Sequence, residues 1–68
     1  MKISARNVFS GQVVEVKTGA VAAKVKVDIG GGNVVTSMVL ANSVDDLGIE
    51  VGEEINVVIK STEVMLSK

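Results

Sequence analysis

Two short segments at opposite ends of this 68-residue chain carry the residue types that could do chemistry. Ile3-Ser4-Ala5-Arg6-Asn7 and Ile59-Lys60-Ser61-Thr62 each set one permanent cation beside small hydroxyl residues, with no bulky side chain to shield the backbone. Arginine offers a planar fork of N–H donors, lysine a compact point charge and serine a short hydroxyl donor, and open backbone amides can finish a cage. Groups that only donate suit an oxyanion, whose oxygens only accept. No Asp or Glu lies inside either segment, Glu63 being the nearest. A carboxylate in first contact would repel the ligand.

The magnitudes say which groups matter. One unit pair at 4 Å is worth roughly 4 kcal/mol at an effective dielectric of 20, so a dianion gains about twice that from each cation. Desolvation offsets much of this gain. Net affinity therefore rests on how completely the remaining oxygens are hydrogen-bonded, at about 1.5–3 kcal/mol for each charge-assisted bond.

The elements that must position these ends read as mostly β, because apolar residues recur with period two and Val dominates them. A first strand is expected over residues 11–17, with Val14 and Val16 on one face and Val13, Glu15 and Lys17 on the other. Thr18-Gly19 marks a turn. Over residues 20–29 the alternation puts Val21, Ala23, Val25, Val27 and Ile29 on one face, and Lys24, Lys26 and Asp28 on a solvated one. Gly30-Gly31-Gly32-Asn33 then reads as a hairpin turn into a third strand over residues 34–40. As a phosphate loop it lacks the Lys-Ser/Thr and the helix that must follow.

Residues 42–48 carry the one helical signal. Asn42 or Ser43 is expected to cap it, Asp45 and Asp46 to favour its first turn, Gly48 to end it, and Val44 with Leu47 to pack as a plug. A fourth strand over residues 54–60 would face Ile55, Val57 and Ile59 one way and Asn56, Val58 and Lys60 the other. A short fifth is expected over residues 63–66, and Met38 and Met65 read as packing residues. This order predicts an all-β, five-stranded OB-type Greek-key barrel with one short helix between strands 3 and 4, residues 1–68 forming a single domain. A small open Greek-key sheet is the competing geometry.

Bulk composition narrows the function. A core in 68 residues supplies only about 3–5 kcal/mol of net stability, and with no Cys and no His there is neither a disulfide nor a structural metal to help. Self-association is the remaining support, and it fits a chain that is 47% hydrophobic with Phe9 as its one aromatic residue. The formal net charge of −1 offers no long-range field for nucleic acid or an anionic membrane, so any anion must be attracted locally. There is no membrane-spanning apolar run and no signal-peptide h-region at the N-terminus, so a cytoplasmic protein is expected.

Ser4-Ala5-Arg6-Asn7, the segment Ser43-Val44-Asp45-Asp46-Leu47-Gly48 and the closing Ile59-Lys60-Ser61-Thr62-Glu63-Val64-Met65 together resemble the Mop domain of the molybdenum-pterin-binding protein, or molbindin, family. The resemblance runs over the whole chain. It implies an OB-type fold, assembly as a homohexamer built as a trimer of dimers, and binding of molybdate or tungstate at subunit interfaces. The metal is then held only as its oxyanion. Carried over by position, the ligand-binding residues are Ser4 and Arg6 with backbone from Ala5 and Asn7, then Ser43, and then Lys60 and Ser61. Some relatives have a hydroxyl residue where this chain has Leu40, which leaves one donor fewer. The domain is also similar to one found in molybdate-responsive regulators and transporter ATPases, but these 68 residues contain no helix-turn-helix and no nucleotide-binding loop, so those linked activities are not expected.

Four readings of function compete. Storage or homeostasis of the oxyanion leads. An OB-fold nucleic-acid module would stack bases on aromatic platforms, which one Phe does not provide, and a purely structural oligomerisation domain would need no donor-rich ends. An enzyme lacks a nucleophile–base pair, there being no His, Cys or Tyr. No organic cofactor is expected either, since a pterin would want an aromatic sandwich. Lys24 and Lys26 are expected to form a solvated strand face rather than a site.

Overall fold

The computed structural model describes residues 3–68. Its elements are β1 (Asn7–Thr18), β2 (Ala22–Gly30), β3 (Asn33–Leu40), α1 (Ala41–Leu47) and β4 (Glu54–Ile59), followed by a single 3₁₀ turn, Ser61–Glu63. The strands form one antiparallel sheet in the order β3-β2-β1-β4. Among the described residues there are thus four strands rather than five, and the sheet is open rather than a closed barrel. The expected fifth strand is replaced by the 3₁₀ turn and an unpaired extension beyond it. No described helix is long and apolar enough to cross a membrane.

β1 begins four residues earlier than periodicity suggests, because its first half pairs with β4 while its second half pairs with β2. One long strand therefore serves two partners and must bend between them. Two local features permit the bend. A Cβ on Gly11 would stand 2.6 Å from the Asp28 carbonyl oxygen and 2.6 Å from Val27 Cγ1, so only glycine lets the strands pass this closely. Three residues on, the register skips Val14 between the Val13↔Val27 and Glu15↔Lys26 pairs, a β-bulge.

The bulge corrects the facing expected of this strand. An extra residue resets the alternation, so Val13 is buried, Val16 packs against the core beside it, and Val14 turns outward. The Val13 amide donates to Glu53 O at 2.9 Å and its carbonyl accepts from Gly52 N at 2.8 Å, which ties the bulge to the turn before β4. The core is completed by Ala23, Val25 and Val27 of β2 and Val44 of α1. Val21, expected on the same face, lies before the strand begins and is exposed.

The glycine turn forms as expected, Gly30 to Gly32 all taking positive φ. Asp28 Oδ1 accepts from Gly30 N at 2.8 Å, and Asn33 Nδ2 donates to Gly30 O at 3.2 Å. The helix departs from expectation at its start. It follows β3 directly, with Leu40 in extended conformation at its N-cap, no side-chain cap bond and no acidic residue in its first turn. The Ala41 amide donates to Val21 O at 2.8 Å, so one of the helix's first N–H groups is satisfied by backbone. Its end is as expected, at Gly48 in the left-handed conformation. Val44 plugs the core, whereas Leu47 faces solvent.

Met38 and Met65 do not pack within the chain, being 78% and 91% exposed. They join Val8, Val58, Val34 and Leu40 as exposed apolar residues. On the opposite chemistry, Lys24 and Lys26 approach Glu15 Oε2 at 3.6 and 4.0 Å, with all three side chains over a third exposed. Such pairs are worth about 0–1 kcal/mol, and this face is the solvated one expected. Gly11→Ala is expected to lower unfolding stability by about 1–3 kcal/mol through backbone overpacking, read from the urea denaturation midpoint.

Candidate oxyanion site

The site begins with strand register. β1 and β4 pair from Asn7↔Ile59 to Gln12↔Glu54. Asn7 opens β1 and Ile59 closes β4, so the residues just outside the pair leave the same end of the sheet together. Asn7 Nδ2 also donates to Ile59 O at 3.2 Å across 52 positions of sequence, a second tie at the same place. The two signature segments, remote in the chain, are thereby held side by side.

Ser4, Ala5, Lys60, Ser61 and Thr62 line one open pocket of about 190 Å³ at this end. Ile55, Val57 and Ile59 are half-buried while Asn56, Val58 and Lys60 are exposed, so the alternation of β4 brings Lys60 out on the side away from the core. Past Lys60 the chain tightens into the 3₁₀ turn, with Glu63 N donating to Lys60 O at 2.9 Å and Val64 N to Ser61 O at 3.4 Å. The amides of Ser61 and Thr62, first in that turn, have no partner within it. The pocket contains a cation, three hydroxyls and backbone, and no carboxylate lines it.

Four of the seven expected residues thus meet in one pocket, namely Ser4, Ala5, Lys60 and Ser61. Asn7 supports them from the adjoining strand pair. Arg6 is exposed and does not line the pocket, and among the described residues it forms no ion pair. Ser43 is apart from them. It is the third residue of α1, which packs on β3 and β2, while β4 forms the other edge of the sheet. Thr62 was missing from the expected set. Its signal was present in the Lys60-Ser61-Thr62 run, where a second hydroxyl follows the first.

A larger depression, of about 600 Å³, lies along Ser10, Gln12, Asp28 and Glu54. Two carboxylates give it the wrong sign for an anion, and its donors are already engaged within its own lining: Ser10 Oγ donates to Glu54 Oε1 at 2.9 Å and Gln12 Nε2 to Gly52 O at 3.1 Å. Charge, not size, singles out the smaller pocket. No group of three or more His, Cys, Asp or Glu side chains among the described residues could hold a bare metal ion.

Comparison with known proteins agrees with this chemistry. The family model described as the TOBE domain matches residues 3–66. The chain is 52% identical over 66 residues to molybdenum-pterin-binding protein 3 of Clostridium pasteurianum, with 97% of each covered. Its structure is similar to that of a molybdate binding protein from Sporomusa ovata, at 34% identity, a TM-score of 0.93 and 100% coverage of both chains. It is also similar to the cytoplasmic molybdate-binding protein ModG in a form with molybdate bound, at 41% identity and a TM-score of 0.85, where 90% of this chain covers 43% of that one. For the geometry itself, Asn7→Ala is expected to cost about 0.5–1.5 kcal/mol of unfolding stability, the net worth of one hydrogen bond, measured by chemical denaturation.

Proposed function

The chain belongs to the molbindin, or Mop, family of TOBE domains, and from that premise we propose that it binds molybdate as an intact oxyanion. The observation that carries the reading is the pocket in which Lys60, Ser4, Ser61 and Thr62 meet without a carboxylate. Lys60 supplies charge, the hydroxyls and the backbone of Ala5 and Asn7 supply hydrogen-bond donors, and Arg6, one residue outside the Asn7↔Ile59 pair, supplies a second cation at the same end of the sheet. Molybdate is a tetrahedral dianion that accepts at all four oxygens, so every group in this set can be used.

Ser43 is assigned to the site through assembly. Within one chain it stands on a helix packed on β2 and β3, and a second copy laid against the pocket would bring its own Ser43 to the anion. The assembly we propose is a homohexamer, a trimer of dimers, and the exposed Val8, Val58, Met38 and Leu40 support it as surface that one chain leaves uncovered. Tungstate, nearly alike in charge and geometry, would bind as molybdate does. Sulfate is smaller and holds its water more tightly, so fixed donors would reach it with longer bonds.

In this reading residues 1–68 act as a single binding domain that stores or buffers the anion, and the protein is not an enzyme. The names of its relatives as binding proteins support that view. A cytoplasmic location belongs to the same proposal and is supported by the description of ModG as cytoplasmic.

Titration calorimetry with molybdate tests the site. Arg6→Ala and Lys60→Ala are each expected to weaken binding more than tenfold, equivalent to about 1.4 kcal/mol, and unchanged affinity in both variants would remove the assignment. Light scattering tests the assembly, with an expected mass about six times the 7.0 kDa chain. A monomer at micromolar concentration would remove the shared-interface reading.

A further inference from the structure

One carboxylate stands next to the donor pocket without lining it. Lys60 precedes the 3₁₀ turn and Glu63 ends it, and the two are joined by Glu63 N donating to Lys60 O at 2.9 Å. Each residue of a 3₁₀ turn rises about 2 Å, and side chains three positions apart eclipse one another. The backbone therefore holds Glu63 over Lys60 at roughly 6 Å along the turn, a gap that a glutamate and a lysine side chain close between them. The other acidic residue of this stretch, Glu54, opens β4 at the far end of the ladder, where it pairs with Gln12 and accepts from Ser10 Oγ at 2.9 Å. Glu63 is thus the carboxylate that β4 and its turn bring to the pocket.

Neither side chain is committed to the other. Lys60 and Glu63 are both exposed, and among the described residues neither forms an ion pair. The Lys60 ammonium lines the pocket while Glu63 does not, so the ammonium has two anionic partners within reach, a ligand oxygen inside the pocket and the carboxylate beside it. An ammonium engaged by Glu63 is less available to the ligand, and a bound dianion has Glu63 as a like-charged neighbour. Both effects weaken the hold on the anion.

We propose that Glu63 is an internal competitor of the anion for Lys60, a residue that keeps affinity below what the donors alone would give. The proposal rests on the reading of this pocket as a molybdate site and deepens it, by assigning the group that limits how tightly the ligand is held. When the anion leaves, Glu63 supplies the counter-ion that Lys60 would otherwise lack. A chain that buffers an anion has to return it as well as take it up, and a carboxylate fixed in the turn serves every release. The effect is bounded by exposure. Removing the charge of Glu63 should tighten binding by about two- to fivefold, the span that exposed ion pairs cover, and in the opposite direction to loss of the cation.

Titration calorimetry with molybdate on the full chain tests this with Glu63→Gln and Glu63→Asp. Glutamine keeps the shape and removes the charge, whereas aspartate keeps the charge on a shorter stem. Glu63→Gln is expected to bind about two- to fivefold more tightly than the parent, and Glu63→Asp to stay closer to the parent value. The gain should vanish when Glu63→Gln is combined with Lys60→Ala, because the competition acts through the ammonium. Parent affinity in Glu63→Gln, an equal change in the Gln and Asp variants, or a gain that persists without Lys60 would each overturn the proposal and leave molybdate binding standing. Absence of binding in the parent chain would remove the reading of the pocket and the competitor with it, and the parent titration alone tells that failure from the others.

Discussion

Pairing of Asn7 with Ile59 is the contact on which the remainder of the structure depends. It closes a loop that takes in nearly the whole chain, which costs conformational entropy that local contacts do not return. The compensation comes from the rest of the ladder down to Gln12↔Glu54 and from the apolar residues that alternate along β4. Register is therefore set by the core and expressed at the pocket. A slip of one residue would turn Ile55, Val57 and Ile59 outward and Lys60 inward, exchanging apolar contacts for a buried ammonium. The burial that holds β4 in place is what presents Lys60, the residue that follows it, to solvent beside Ser4.

Sharing one strand between two partners imposes the second constraint. β1 must leave β4 and join β2 within its own length, and a flat strand cannot do this without splaying one ladder. Gly11 allows the close crossing and the bulge at Val14 adds the twist. With β2 and β1 inside the sheet, β3 and β4 stand as its two edges with the apolar cleft between them.

Any attraction for an anion in a chain of net charge −1 has to be local. The acidic residues are not spread evenly, since Asp28 and Glu54 line the large depression beside the glycine turn, and Glu15 is engaged by Lys24 and Lys26. The pocket beside the start of β1 and the end of β4 is lined by donors and by no carboxylate, although Glu63 stands in the adjoining 3₁₀ turn. In the proposed site an anion would be held by hydrogen-bond geometry more than by long-range field, since screening reduces interactions beyond about 8–10 Å.

The alternation of Ala23, Val25, Val27 and Ile29, the glycine turn, the end of α1 at Gly48 and the outward Lys60 were all legible from residue order, because each depends on neighbours within a few positions. So were the donor-only segments, whose chemistry resides in residue type. Tertiary structure alone decided the facing of Val13 and Val14, since a bulge is invisible to period-two reasoning and is held by the turn at Gly52 and Glu53. It also decided that α1 starts at Ala41 directly after β3, where its first amide donates to Val21 O and Leu40 offers no capping side chain. The segment at residues 63–66 has the composition of a strand yet pairs with nothing in its own chain. Composition states what a segment can bury, and only the arrangement in space states whether a partner is within reach.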